Sequence, residues 1–219
     1  MSQPDAAVLR ELAPTGKLRI AIAVAPSPSA QFAIKDGDNY RGVAVTLGLA
    51  LAEKMGVAAE LVPHQASGEV QNSAAGNRWD VAFLPVDEER KKFVDFGNAY
   101  HLLQSTYLVG PSGKIASVAA ANAAGVRIGG VANTATFRTS NKTAPNATHV
   151  SFDKTDAAVA ALKAGDVDAL AFTRESLSGL APKVPGSRIL DGGFLNCTTS
   201  VAVPKGRPQA LAYVTEFIE

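Results

Sequence analysis

Ala164-Gly-Asp-Val-Asp168-Ala-Leu-Ala-Phe172 reads as a helix stop followed at once by a buried strand. The chain carries the same device earlier, in Ala75-Gly-Asn-Arg-Trp-Asp80-Val-Ala-Phe83. Both place Ala-Gly, then an aspartate, then an apolar run. Working outward, what precedes each is also alike. The β-branched runs at 18–24 and 126–131 are strands. Each leads into a small polar loop. The first is Ala25-Pro-Ser-Pro-Ser-Ala30, whose prolines exclude regular structure; the second is Asn133-Thr-Ala-Thr136, opening a helix. Apolar residues at 43, 47, 50, 51 and 55, with Gly56 as the stop, predict an amphipathic helix. Asp36-Gly37-Asp38 reads as a turn. Residues 59–62 and 148–152 predict second strands. A short helix to Gly76 and a helix over 156–163 lead to third strands at 79–83 and 167–172.

The order is that of two β-loop-α-β-α-β units, hence α/β lobes with mainly parallel sheets and flanking helices. One larger sheet is the alternative. Open parallel sheets bind ligands beyond the carboxyl ends of their strands, so two facing sheets would define a cleft. The extended segments 105–109 and 199–203 are candidate hinges. Lobe 1 would then hold residues 1–105 and 204–219, and lobe 2 residues 110–198. Residues 1–15 form a short helix or tail, and 208–219 a helix with Pro208 in its first turn.

Composition excludes several classes. With 47% hydrophobic and 19% charged residues, the chain is not disordered. Net charge is +1 and the basic residues are scattered, so nucleic acid is not the expected partner. The cluster Arg90-Lys-Lys92, beside Asp87, Glu88 and Glu89, reads as a solvated helix face. The lone Cys197 allows no internal disulfide and reads as a small buried residue. No run of eighteen apolar residues occurs. His64, His101 and His149 lack metal-ligand spacing, and no P-loop or G-x-S-x-G is present, so no metal or cofactor is expected. Three Asn-x-Thr triplets, at Asn141, Asn146 and Asn196, read as chance. Met1-Ser-Gln-Pro-Asp5 lacks a basic region and apolar core, so it is not a signal peptide. Either an export signal was removed, or the protein is cytosolic.

Several stretches carry a family resemblance. Gly16-Lys-Leu-Arg-Ile-Ala-Ile22, Tyr40-Arg-Gly-Val-Ala-Val-Thr-Leu47 and Trp79-Asp-Val-Ala-Phe83 resemble family 3 solute-binding proteins of bacterial ABC transporters. So do Glu88-Glu-Arg-Lys-Lys-Phe-Val-Asp-Phe96 with Ala99-Tyr100, and Gly125-Val-Arg-Ile-Gly129. The resemblance runs from about residue 16 to the end. It implies a type II periplasmic-binding fold, a monomer closing on a small ligand, delivery to a membrane permease, and a periplasmic location.

In the amino-acid-binding branch, an arginine grips the ligand carboxylate, helped by preceding hydroxyl residues and a Gly-Thr helix start. An aspartate after the last strand of lobe 2 takes the ammonium group. By resemblance Arg90 is the carboxylate arginine, and Asn133, Thr134 and Thr136 are the helix start, which favours an anion. The hydroxyl stretch is replaced by Phe83-Leu-Pro85-Val-Asp87. The aspartate position falls on Arg174, and Ala25 stands where many relatives have an acid. The ligand implied is a small organic anion without a free amine. Ser27, Ser29, Ser67 and Glu69 sit in loops or helix starts after strands and are further ligand candidates. Phe83 would stack on the ligand or fill the core, and Trp79 would pack the core or hinge. Two other functions are open. One is a dehydratase-like enzyme, with Glu69 or Glu175 as an acid enclosed near apolar groups. The other is a cytosolic ligand sensor.

Overall fold

The computed structural model describes residues 3–24 and 33–219. Along them run α1 (Ala6–Leu12), β1 (Lys17–Ala23), β2 (Ile34–Asp36), β3 (Asn39–Arg41), α2 (Val43–Met55), β4 (Ala58–His64), α3 (Ser67–Ser73), β5 (Val81–Pro85) and β6 (Val94–Val109). There follow β7 (Arg127–Val131), α4 (Ala135–Thr143), β8 (Thr148–Phe152), α5 (Thr155–Ala164), β9 (Ala169–Thr173), α6 (Arg174–Leu180), β10 (Arg188–Ile189), β11 (Leu195–Pro204) and α7 (Pro208–Ile218). The described chain forms two compact units. The first holds 3–24, 33–102 and 198–219, and the second holds 103–197.

In the first unit the strand order is β4-β1-β5-β11. β1 runs parallel to β4 and β5, and β11 pairs antiparallel with β5, Thr199 opposite Pro85. Alternation along β1 sorts its side chains. Leu18, Ile20 and Ile22 enter a core with Leu12, Leu51, Val201 and Val214, while Ala21 faces Val70, Trp79 and Leu84. Helix α2 buries Val45, Leu51, Ala52 and Met55. It ends at Gly56, whose φ of 67° is left-handed and whose N–H reaches the carbonyls of Ala52 and Glu53.

The second unit repeats the plan. Its order is β6-β9-β7-β8, with β10 beside β6. β7 is parallel to β8 and β9, and β6 pairs antiparallel with β9. The first strand is thus central among three parallel strands in both units, and an antiparallel strand flanks the third. Leu108, Val159, Leu162, Leu170 and Leu177 pack one face, and Tyr107, Val109, Ile128, Ala169 and Leu190 the other.

The aspartate in each repeated stretch has a shared physical role. Asp80 accepts from the backbone N–H of Arg19 at 3.0 Å, from its Nε at 2.9 Å and from its Nη2 at 2.8 Å. Asp168 does the same for Arg127, at 2.8, 3.2 and 2.8 Å. Each fork ties a first strand to the approach of a third. In the first unit Arg207 also donates to Asp80, at 3.0 Å, and to the carbonyl of Glu11 at 2.8 Å, which anchors α7 to α1.

The structure corrects three readings. The helix expected to carry Arg90-Lys-Lys92 is only a 3-10 turn, Arg90–Lys92, and strand β6 begins at Val94. Val94 and Phe96 suit a pleated strand, and tertiary pairing overrides the charged run before them. Arg90 is therefore not part of a solvated face: its side chain is fully buried, while Lys91 and Lys92 pair with Glu88 and Glu89 at the surface. Third strands start later than expected, at Val81 and Ala169, because Trp79, Asp80, Val167 and Asp168 form their approaches. Helix α6, which the sequence reading left out, begins directly after β9. Thr173 caps it by accepting from the N–H of Ser176 at 3.3 Å.

Candidate functional site

In the first unit the candidate residues gather at the carboxyl ends of parallel strands. β5 ends at Pro85, and the turn that follows brings Arg90 back beneath it. Nη1 of Arg90 donates to the Pro85 carbonyl at 2.8 Å, and Nη2 to Ser67 Oγ at 2.7 Å. Ser67 is the first residue of α3. Asp87 accepts from the Arg90 backbone N–H at 3.0 Å, and its carboxylate lies 3.6 Å from Nε. One guanidinium thus joins a strand end, a helix start and the turn between β5 and β6. Its charge is buried beside a carboxylate, as a buried arginine requires.

Other first-unit candidates have structural partners. Phe83 is buried in the core, its ring edge-on to Tyr100 with centroids 5.9 Å apart. Trp79 is fully buried and donates from Nε1 to the Val70 carbonyl at 3.1 Å. Glu69 is exposed, and its carboxylate accepts from the Gln65 N–H at 2.8 Å, tying down the start of α3. It is not the enclosed acid that the dehydratase reading asks for. Ala25, Ser27 and Ser29 lie outside the described residues.

In the second unit β7 ends at Val131, and Asn133 takes a left-handed φ of 59°, a conformation asparagine tolerates. Asn133 is exposed. Thr134 caps α4, accepting from the Phe137 N–H at 3.2 Å while donating to the Val131 carbonyl at 2.9 Å. A hydroxyl–hydroxyl hydrogen bond of 3.0 Å joins Thr136 to the buried Ser105 of β6. Helix starts of this kind carry backbone N–H groups without intrahelical partners.

Arg174 stands at the end of β9, half-buried. Nε donates to Gln104 Oε1 at 2.7 Å, and Nη2 to the carbonyls of Leu190 at 3.0 Å and Gly192 at 2.6 Å. All three acceptors are neutral. Among the described residues no carboxylate pairs with Arg174. Glu175, beside it on α6, is half-buried. Cys197 is half-buried in β11. Among the described residues no group of three or more His, Cys, Asp or Glu is placed to hold a metal ion, and no helix is long and apolar enough to cross a membrane.

Two histidines link the frame to pH. His64, at the end of β4, has Nδ1 at 3.0 Å from the Val62 carbonyl and Nε2 at 2.9 Å from Ser73 Oγ. His149 in β8 has Nε2 at 3.0 Å from Ser140 Oγ, which also meets the Tyr107 hydroxyl at 3.0 Å. Burial pushes both imidazoles below the ordinary histidine value, outweighing the hydrogen bonds that favour the charged form. The folded state therefore prefers them neutral. Their contribution to stability is complete above the unfolded histidine value, about 6.5, and is lost as pH falls below it. The melting temperature is expected to drop between about pH 7 and pH 5. Replacing His64 and His149 together by Gln should flatten that slope. An unchanged slope would show that other groups carry it.

The chain belongs to the bacterial extracellular solute-binding proteins, family 3, whose model matches residues 20–219. This is the family that the sequence resemblance named. A glutamine-binding protein of Geobacillus stearothermophilus is 32% identical over 114 residues, 52% of this chain and 43% of that protein. The matched region is thus under half the length of that relative. An amino acid ABC transporter substrate-binding protein of Streptococcus pneumoniae, bound to L-arginine, is 25% identical, with a TM-score of 0.81 over 94% of this chain and 89% of that one. An ancestral amino acid-binding protein, a precursor of cyclohexadienyl dehydratase, is also 25% identical, with a TM-score of 0.79 over 96% of this chain and 91% of that one.

Proposed function

We propose that this protein is the substrate-binding component of an ABC transporter, acting outside the cytoplasmic membrane and handing a small organic anion to a permease. The ligand carries a carboxylate and no free amine. In the first unit Arg90 takes the carboxylate, with Ser67 beside it; in the second unit the α4 start at Asn133, Thr134 and Thr136 offers further donors to a ligand. The segments 105–109 and 199–203 serve as hinges, with the lobes at 1–105 with 204–219 and at 110–198. Family membership supports the binding role. Relatives whose names give a ligand bind glutamine or arginine.

The observation that carries the departure from amino acids is Arg174. A guanidinium that has only neutral acceptors keeps its full charge for the ligand. A ligand ammonium beside it would meet like charge instead of a counter-ion, which is costly in a site shielded from water. Thermal shift against a panel of amino acids and organic acids tests the reading. A ligand at a hundred times its Kd stabilises by about 2.7 kcal/mol, so true ligands stand out. Carboxylates without an amine are expected to raise the melting temperature, and a panel in which only amino acids do so would overturn the proposal.

A further inference from the structure

The second unit contains a cavity of about 460 Å³, lined by Tyr107, Val118, Ala119, Asn122, Thr143 and Phe194. All six fall within residues 103–197, so the cavity is complete within one unit. Its size lies in the range of about 300–1,000 Å³ typical of small-molecule sites. Thr143 is the last residue of α4, whereas the candidate ligand residues Asn133, Thr134 and Thr136 stand at the start of that helix. The cavity is therefore separate from them.

Its aromatic wall is fixed in place. Tyr107, on β6, is buried, and its ring stacks on Phe194 with centroids 4.5 Å apart. The Tyr107 hydroxyl is held at 3.0 Å from Ser140 Oγ. The Phe194 N–H donates to the Ser105 carbonyl and the Leu190 N–H to the Tyr107 carbonyl, each at 3.0 Å. Between them Gly193 lets the chain lie against β6, since a Cβ there would come within 2.8 Å of the Ser105 carbonyl oxygen. Phe194 nevertheless stays only half-buried.

The polar lining supplies one donor and one acceptor. Asn122 Oδ1 accepts from the Asn146 N–H at 2.9 Å, so the other end of that amide is its NH2. Among the described residues nothing accepts from that NH2. The Thr143 hydroxyl donates to the Thr139 carbonyl at 3.0 Å and keeps its lone pairs to accept. No charged side chain lines the cavity, so an ion entering it would give up water without meeting a counter-charge.

We propose that this cavity is a second ligand site, for a small uncharged planar molecule that packs on the Phe194–Tyr107 pair. Such a ligand carries an acceptor for the Asn122 NH2 and a donor for the Thr143 hydroxyl. An aromatic carboxamide is the simplest molecule with both. The site does not depend on the carboxylate reading of Arg90.

The test is an NMR titration of the wild-type protein with benzamide, benzoate and acetophenone, followed at the backbone amides of Asn122 and Phe194. The three probes have similar shapes; benzoate adds charge, and acetophenone lacks the donor. Benzamide is expected to shift both amides saturably, and the other two to bind there at least about fivefold more weakly, the scale of one hydrogen bond. Asn122→Asp is the decisive variant. It keeps the oxygen that holds Asn146 and the side-chain shape, but replaces the donor by a carboxylate. It should preserve the melting temperature and weaken benzamide at least about tenfold. Phe194→Ala should abolish the shift at Asn122. Three results would overturn the proposal: no shift at either amide with millimolar benzamide, equal binding of the three probes, or benzamide affinity that survives Asn122→Asp.

Discussion

Replacing Asp80 by Ala is expected to lower the unfolding free energy by about 3–5 kcal/mol, the cost of stripping the partner from buried charge. Asp80 is fully buried and serves two arginines that are themselves only 14% exposed. Arg19 would lose the tie between β1 and the approach to β5. Arg207 would lose its anchor between α7 and α1. The duplicate fork supplies an internal control. Asp168 and Arg127 have similar hydrogen-bond geometry but are 24% and 42% exposed, so solvent screens their attraction. Asp168→Ala should therefore cost much less. Urea denaturation of the two variants measures the difference. Equal costs would mean that burial and the second arginine add nothing.

The second large effect is expected at Arg90. Arg90→Ala should weaken carboxylate binding on the order of a hundredfold, as truncation of a buried, hydrogen-bonded charge does. It should also cost stability, because Ser67, Pro85 and Asp87 lose the group that joins them. Arg90→Lys separates the two effects. A lysine keeps the charge but lacks the planar fork, so it cannot reach a helix start, a strand end and a ligand together. It should retain part of the affinity and little of the rigidity. Carboxylate affinity that survives Arg90→Ala would remove this residue from the site.

Much of the architecture was legible because hydrophobic period and helix stops repeat. The run of residues 43–55 gave α2 with its bounds, since Gly56 ends it by a backbone conformation that glycine adopts freely. The likeness of the stretches around Asp80 and Asp168 was legible as a pattern, and its cause appears only in three dimensions. The arginines that those aspartates clamp lie 61 and 41 residues away. The charged run at 88–92 misled for the same kind of reason. Four of its charges, Glu88, Glu89, Lys91 and Lys92, pair at the surface, but Arg90 turns inward to acceptors that local sequence cannot reveal. Strand β6, at 16 residues, was read only at its last five residues, because residues 94–104 mix polar and apolar side chains without a clean alternation and include Gly97.

The candidate site was legible in kind and not in detail. The family resemblance pointed to Arg90, Thr134, Thr136 and Arg174 as ligand candidates. That Arg90 is enclosed, that Phe83 is core, and that Glu69 is an exposed helix tie required the coordinates. Gln104 carried no signal of its own. An isolated glutamine in a strand gains a role only through the partner that the fold brings to it, here Arg174, 70 residues later.

The proposed site disfavours a ligand ammonium group, whereas named relatives bind glutamine or arginine. Glutamine and glutaramate, the same molecule without its α-amine, isolate that group. Calorimetric titration of the wild-type protein with both is the direct measurement. Glutaramate is expected to bind more tightly than glutamine, with the gap closing in Arg174→Ala. Tighter binding of glutamine that survives Arg174→Ala would contradict the account.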